Sequence, residues 1–180
     1  MQHPSNRLTG RALLSLVLLS SPWSGVAAAE STTERNQRLV ERAFANWSAG
    51  RGSLFDDLLS PTVVWTIQGS GPAAGTYHGR EDFLERAVRP FAQRLATPIV
   101  PRVQAIWARE DQVVVRWNGT ATARDGAPYR NEYVWIFKLD GTRATQVEAF
   151  LDLVPYQDVI DRIALADPSP ARPTGERQAP

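Results

Sequence analysis

Apolar positions along the chain follow two periods, and the changes between them divide it into elements. Leu39, Val40, Ala43, Phe44 and Trp47 recur at helical spacing and predict an amphipathic helix over 33–49. Ser31 with Glu34 three residues later is a capping-box start, and Gly50 and Gly52 end the helix. A further short helix over 53–59 is stopped by Pro61. Residues 62–68 (TVVWTIQ) are β-branched and aromatic and predict a strand; GSGPAAG turns the chain into a short returning strand over 76–78. After Gly79, Phe83, Leu84, Ala87, Val88, Phe91 and Leu95 outline a second long helix. Pro90 lies inside it, lacks a backbone donor and predicts a kink. Residues 99–108 form the next strand, with prolines near its start that suit an edge or a bulge.

The clearest alternation runs from Gln112 to Asp152. Three strands follow one another, separated by Asp125-Gly126 and Asp140-Gly141, dipeptides that favour two-residue hairpin turns. Pro155 then begins a last short helix carrying Val159, Ile160 and Ile163. Helices preceding one curved, mostly antiparallel sheet must cover one of its faces, which predicts an α+β layer with a pocket between helices and sheet.

Two-residue turns fix the cross-strand partners. On that pairing Asn118 lies opposite Tyr133, and Tyr133 opposite Glu148. Arg116, Trp135 and Gln146 form one flanking row; Thr120, Asn131 and Phe150 form the other. A row across three strands spans about 10 Å, the width of a small-molecule site. The other face would carry Val115, Trp117, Val134, Ile136, Val147, Ala149 and Leu151. Either that apolar face is the core and the mixed face meets water, or the mixed face lines the pocket and the apolar face packs on a second subunit. A contiguous apolar sheet face left in water would be unusual.

The ends and the charge narrow the class. Arg7 and Arg11, the apolar run 12–19 and Ala27-Ala28-Ala29 form a secretory signal pattern over 1–29, and the run is too short to span a bilayer. Residues 30–165 are then one exported domain, secreted or periplasmic, with no membrane anchor; 166–180 read as a disordered Pro-rich tail. Removing 1–29 takes two of the 20 basic residues, and the remaining 18 against 19 acids give a net charge of −1. No basic stripe is left to track nucleic-acid phosphates. The chain has no Cys, which excludes disulfides and thiol catalysis, and His78 is the one histidine after residue 29. It is either a surface imidazole at a strand end or a proton shuttle. No metal site and no cofactor are expected.

Several of these residues are similar to a known family. Trp65-Thr66-Ile67-Gln68-Gly69, then Pro72, Gly75, Tyr77 and Gly79 before a helix starting Arg80-Glu81-Asp82-Phe83, form one part of the match. Tyr129, Asn131, Tyr133 and Trp135 at alternate positions, Asp140-Gly141 and Ala149-Phe150-Leu151-Asp152 form the other. The pattern resembles the SnoaL-like, ketosteroid isomerase-related branch of the nuclear transport factor 2-like superfamily, over roughly residues 34–164. The resemblance implies a cone-shaped α+β fold, helices covering the concave face of the sheet, and a homodimer through its convex face. It favours the pocket reading of the mixed face. This fold hosts isomerases, cyclases, dehydratases, epoxide hydrolases and binding proteins, so it does not itself name a reaction.

Departures from the family's enzymes are informative. Trp65 stands nearest the Asp base of ketosteroid isomerases, and the first helix lacks their Tyr. Arg116-Trp117-Asn118 keeps the Arg of limonene epoxide hydrolases but has an amide in place of their Asp. Glu148 matches their last-strand acid after a one-residue adjustment; without it the position is Ala149.

The expectation is a protein that takes a small hydrophobic molecule, with Trp65, Tyr77, Asn118, Asn131, Trp135, Phe150 and Asp152 as ligand-binding positions. A cofactor-independent isomerase, cyclase or epoxide hydrolase is the alternative, with Glu148 as base and Tyr133 or Arg116 stabilising negative charge. A protein-interaction module is the second alternative. Glu148 is otherwise an ion-pair partner of Arg116, and Asp152 otherwise a structural cap.

Overall fold

Ser31 opens the fold as the sequence implies. In the computed structural model, which describes residues 30–165, its hydroxyl accepts from the Glu34 N–H while the Glu34 carboxylate accepts from the Ser31 N–H. This capping box begins α1 (Thr32–Ser48). The expected signal segment 1–29 and tail 166–180 lie outside the described residues. Next come α2 (Leu54–Leu58), β1 (Leu59–Ile67) and β2 (Gly75–His78). They are followed by α3 (Arg80–Phe83), a π-helical turn (Leu84–Val88) and α4 (Arg89–Ala92), which run on as one helix. The chain finishes with β3 (Val100–Arg109), β4 (Gln112–Thr122), β5 (Pro128–Asp140), β6 (Arg143–Leu151) and α5 (Leu153–Arg162).

The six strands form one curved, unclosed sheet in the order β2-β1-β6-β5-β4-β3. Only the β1–β6 pair is parallel. Helices α1 to α4 lie against its concave face, giving the α+β cone. Phe44 of α1 is 1% exposed and meets Trp117, Trp135 and Phe137 at ring separations of 5.9–6.4 Å. Burying a side chain of that size contributes about 1.5–3 kcal/mol. A second apolar cluster forms beneath α5 from Phe91, Leu95, Ala123, Tyr129, Val159 and Ile163. The Arg94 guanidinium ties that end together, donating to the carbonyls of Pro90, Ile160 and Ile163.

Pro90 produces a π turn in place of a simple kink. A proline nitrogen cannot donate to the carbonyl four residues back, so the ladder opens by one residue. The Arg89 N–H bonds the Leu84 carbonyl, and the Ala87 carbonyl accepts from the Tyr156 hydroxyl of α5 at 2.8 Å.

Both hairpins depart from the expected turns. The β4–β5 connection is a three-residue loop, Arg124-Asp125-Gly126, closed by the Ala123 N–H on the Ala127 carbonyl. Gly126 adopts φ +85°, the left-handed conformation such a loop needs at its third position. The β5–β6 turn has two residues, but they are Gly141-Thr142, flanked by the Asp140–Arg143 pair. An irregularity between Lys138 and Leu139 then shifts the register again. Tyr133 therefore pairs with Trp117 and Leu151, not with Asn118 and Glu148.

Each correction is an odd number of residues, and side chains alternate with a period of two, so both flanking strands turn over relative to β5. The concave face is Val113, Val115, Trp117 and Gly119 on β4, Asn131, Tyr133, Trp135 and Phe137 on β5, and Val147, Ala149 and Leu151 on β6. Arg116, Asn118, Gln146, Glu148 and Phe150 face outward with Val134 and Ile136. The continuous apolar outer face expected for a dimer does not exist in that form, because five of its seven residues lie inside.

Candidate functional site

The concave face and the helices enclose a cavity of about 420 Å³. Trp65 and Ile67 of β1, Tyr133 and Trp135 of β5, and Ala149 and Leu151 of β6 form its floor. Trp47 of α1 and Phe55 of α2 close one side. Phe83, Ala87, Val88, Phe91 and Ala92 come from the interrupted helix, and the segment from Leu95 to Ile99 borders the cavity with Tyr156 of α5. The π turn thus supplies two wall residues and the carbonyl that holds Tyr156 in place.

Aromatic packing fixes the floor. Trp135 stacks on Trp47 (6.0 Å, 7°) and meets Trp65 edge-on at 5.0 Å. Trp65 stacks on Phe83 at 4.1 Å, and Tyr133 stacks on Trp117 at 3.9 Å and 5°. Gly119 makes the last stack possible, since a Cβ there would sit 2.9 Å from Tyr133 Cε2 and 3.0 Å from Trp117 Cζ3. These rings also leave the Nε1–H groups of Trp65 and Trp117 without a hydrogen-bond acceptor.

Polar order is concentrated at one end. The Tyr129 and Tyr133 hydroxyls are 2.7 Å apart, and the Asn131 amide donates to the Tyr129 hydroxyl at 2.9 Å and to the Asp152 carbonyl at 2.7 Å. Asn131 Oδ1 accepts from the N–H groups of Glu132 and Asp152. Burial raises the Tyr133 hydroxyl well above its usual range, and burial is also the main cause raising Tyr129 and Tyr156. All three keep their protons at neutral pH and act as neutral hydrogen-bonding groups.

The sequence-predicted site residues divide between the two faces. Trp65, Tyr133 and Trp135 line the cavity, and Asn131 is buried behind Tyr133. Tyr77 is buried behind Phe83 and donates to the Ala73 carbonyl. Glu148 lies on the outer face, exposed, where its carboxylate accepts from the Gln68 side chain. It cannot act as a base in the cavity. Arg116 is outside as well, with its side chain 53% exposed and 3.5 Å from Glu132, its actual ion-pair neighbour. Asn118 and Phe150 share that outer face, Phe150 at 43% exposure. Asp152 caps α5, accepting from the Val154 N–H at 2.9 Å. The row Asn118–Tyr133–Glu148 is replaced by Trp117–Tyr133–Leu151. His78 is exposed, away from the cavity lining.

Sequence reasoning missed Ala149, Leu151 and Tyr156 as wall residues. The first two carried a signal, because Val147, Ala149 and Leu151 are the apolar members of the alternation on β6. Among the described residues no cluster of His, Asp and Glu could hold a metal, and no charged side chain lines the cavity.

The SnoaL-like domain model matches residues 40–147, more than half of the chain. The chain belongs to the SnoaL-like family. Solved structures of the nuclear transport factor 2-like superfamily show the same fold. A Burkholderia thailandensis protein of this class superimposes with a TM-score of 0.58 at 17% identity, over 69% of this chain and 96% of its own. Bal32a, from a soil-derived mobile gene cassette, gives 0.60 at 19% identity over 72% and 98%. TerC, co-crystallised with polyporic acid, gives 0.56 at 18% identity over 70% and 98%. No functionally curated protein shows significant sequence similarity to this SnoaL-like chain. No helix among its described residues is long and apolar enough to cross a membrane.

Proposed function

We propose that this SnoaL-like protein binds an uncharged, hydrophobic small molecule in its cone cavity, acting outside the cytoplasm once residues 1–29 are removed. The family accommodates ligand-binding, cyclase and isomerase-type proteins. The lining of the cavity favours binding without turnover: about 420 Å³ bounded by aromatic and aliphatic side chains with no carboxylate, imidazole or cation. A volume of that size suits a molecule of two or three rings. Proton abstraction needs a base within reach of the substrate, and Glu148 is on the far side of the sheet. The co-crystal of TerC with polyporic acid is a further support, as a small organic molecule with a protein of this fold.

Titration with a neutral naphthylamine probe, N-phenyl-1-naphthylamine, tests the reading. Saturable one-to-one binding with tryptophan quenching is expected from Trp47, Trp65 and Trp135 around the cavity. The anionic sulfonate analogue should bind at least about 10-fold more weakly, because burying a sulfonate without a partner is costly. Equal affinity for both, or no saturable binding of either, contradicts it.

Association into a homodimer through the convex face stays a proposal, on a different set of residues. Trp107 is 56% exposed there, in line with Val114 and Ile136, and Phe150 lies beside Val134 in the next row. Sedimentation velocity would show a species of twice the monomer mass, shifted to monomer by Trp107→Glu; a monomer at all concentrations rejects it.

A further inference from the structure

The hydrogen bonds behind the cavity floor can be followed proton by proton. Asn131 Oδ1 accepts two backbone N–H groups, which fixes its amide orientation. Its two Nδ2 protons are both placed, one on the Asp152 carbonyl and one on the Tyr129 hydroxyl oxygen. Tyr129 is 2% exposed, and the acceptor its own proton reaches is the Tyr133 oxygen at 2.7 Å. The reverse arrangement, with Tyr133 donating to Tyr129, would leave the Tyr129 proton buried and unpaired, a cost that native structures avoid. Tyr129 therefore donates to Tyr133, and the Tyr133 proton is left over. Tyr133 borders the cavity, so the cavity is where that proton finds an acceptor.

We propose that Tyr133 is the ligand-orienting donor of this pocket, the end of a relay from Asn131 through Tyr129, and that the ligand is a neutral molecule presenting a carbonyl oxygen to it. This rests on the small-molecule reading of the cavity and names the chemistry of its occupant. The other hydroxyls do not compete. Tyr156 donates to the Ala87 carbonyl, and Thr97 is exposed at the margin. With no cation in the lining, a carboxylate would lack a counter-ion, whereas a ketone, quinone or ester oxygen needs one donor. Successive hydrogen bonds polarise one another, so the relay strengthens Tyr133 as a donor. Burial keeps that hydroxyl protonated.

The test compares benzophenone with 1,1-diphenylethylene, which share a shape and differ in C=O against C=CH₂, on the purified full chain. The ketone should bind about 3- to 10-fold more tightly, the worth of one net hydrogen bond. In Tyr133→Phe the order should reverse, because the ketone then loses its water hydrogen bonds without replacement. The carbonyl stretch of benzophenone bound to the unaltered protein should lie at lower wavenumber than in hexane, a readout that needs no variant to fold. Equal affinities with an unshifted carbonyl band would overturn the Tyr133 assignment while leaving the cavity reading intact. A ketone preference that persists in Tyr133→Phe would also overturn it. Failure of both compounds to bind would reject the cavity reading itself, and the inference with it.

Discussion

Replacing Trp117 by alanine is expected to lower the unfolding free energy by about 3–5 kcal/mol, the range for deleting a large buried aromatic. Urea denaturation followed by far-ultraviolet circular dichroism would measure it. Trp117 is 1% exposed and central to the inner face. It stacks on Tyr133 at 3.9 Å and meets Phe44, Trp47 and Trp135 at 5.9, 5.1 and 4.7 Å. Its Nε1–H has no acceptor, so no hydrogen bond is lost and the whole effect reports packing. Had the pairing expected from the sequence been right, Trp117 would face away from the pocket residues and its removal would leave Tyr133 untouched. A loss below 1 kcal/mol would contradict the inward placement.

Asn131→Leu is the second large effect, at about 2–4 kcal/mol. Asn131 is 6% exposed and serves four partners: the N–H groups of Glu132 and Asp152, the Asp152 carbonyl and the Tyr129 hydroxyl. Leucine has the same number and branching of side-chain heavy atoms, so the main cost is that of partners left without bonds, each about 1–3 kcal/mol when buried and less near the surface. Asp152 is also the N-cap of α5, so its backbone loses its anchor where that helix begins. Hydrogen exchange should show faster exchange in α5 than in β3, on the far edge of the sheet. Uniform acceleration would argue that Asn131 does not hold α5 in particular.

These two residues also show what was legible in the sequence. The elements and their order followed from local signals: the Ser31/Glu34 box, the β-branched run before Gly69, the glycines at the turns and the 3.6-residue spacing of α1. Face assignment failed because an Asp-Gly pair does not state where the loop begins. Around Asp125 it supplied the last two residues of a three-residue loop; around Asp140 only the glycine belongs to the turn. The extra loop residue at Asp125 reverses the faces of β4 relative to β5, whereas sliding a two-residue turn by one position leaves the faces of β6 unchanged. The irregularity between Lys138 and Leu139, which no local signal announces, is what turns β6 over. Consistent burial was the better guide: Val113, Val115 and Trp117 with Val147, Ala149 and Leu151 make two apolar alternations that belong on the covered side. Tyr156 was out of reach, since its place depends on a hydrogen bond to the Ala87 carbonyl, in the π turn of another helix.

Two residues on opposite faces of β6 can decide which side of that strand the ligand meets. Affinity for the neutral naphthylamine probe should be measured in Leu151→Trp and Glu148→Gln, both checked for an unchanged fold. Leu151 borders the cavity and Glu148 faces solvent on the opposite side. Filling the cavity from Leu151 should weaken binding by at least about 10-fold, as expected when ligand volume is displaced, while Glu148→Gln should leave it unchanged. Loss of binding in Glu148→Gln with full affinity in Leu151→Trp would contradict the account.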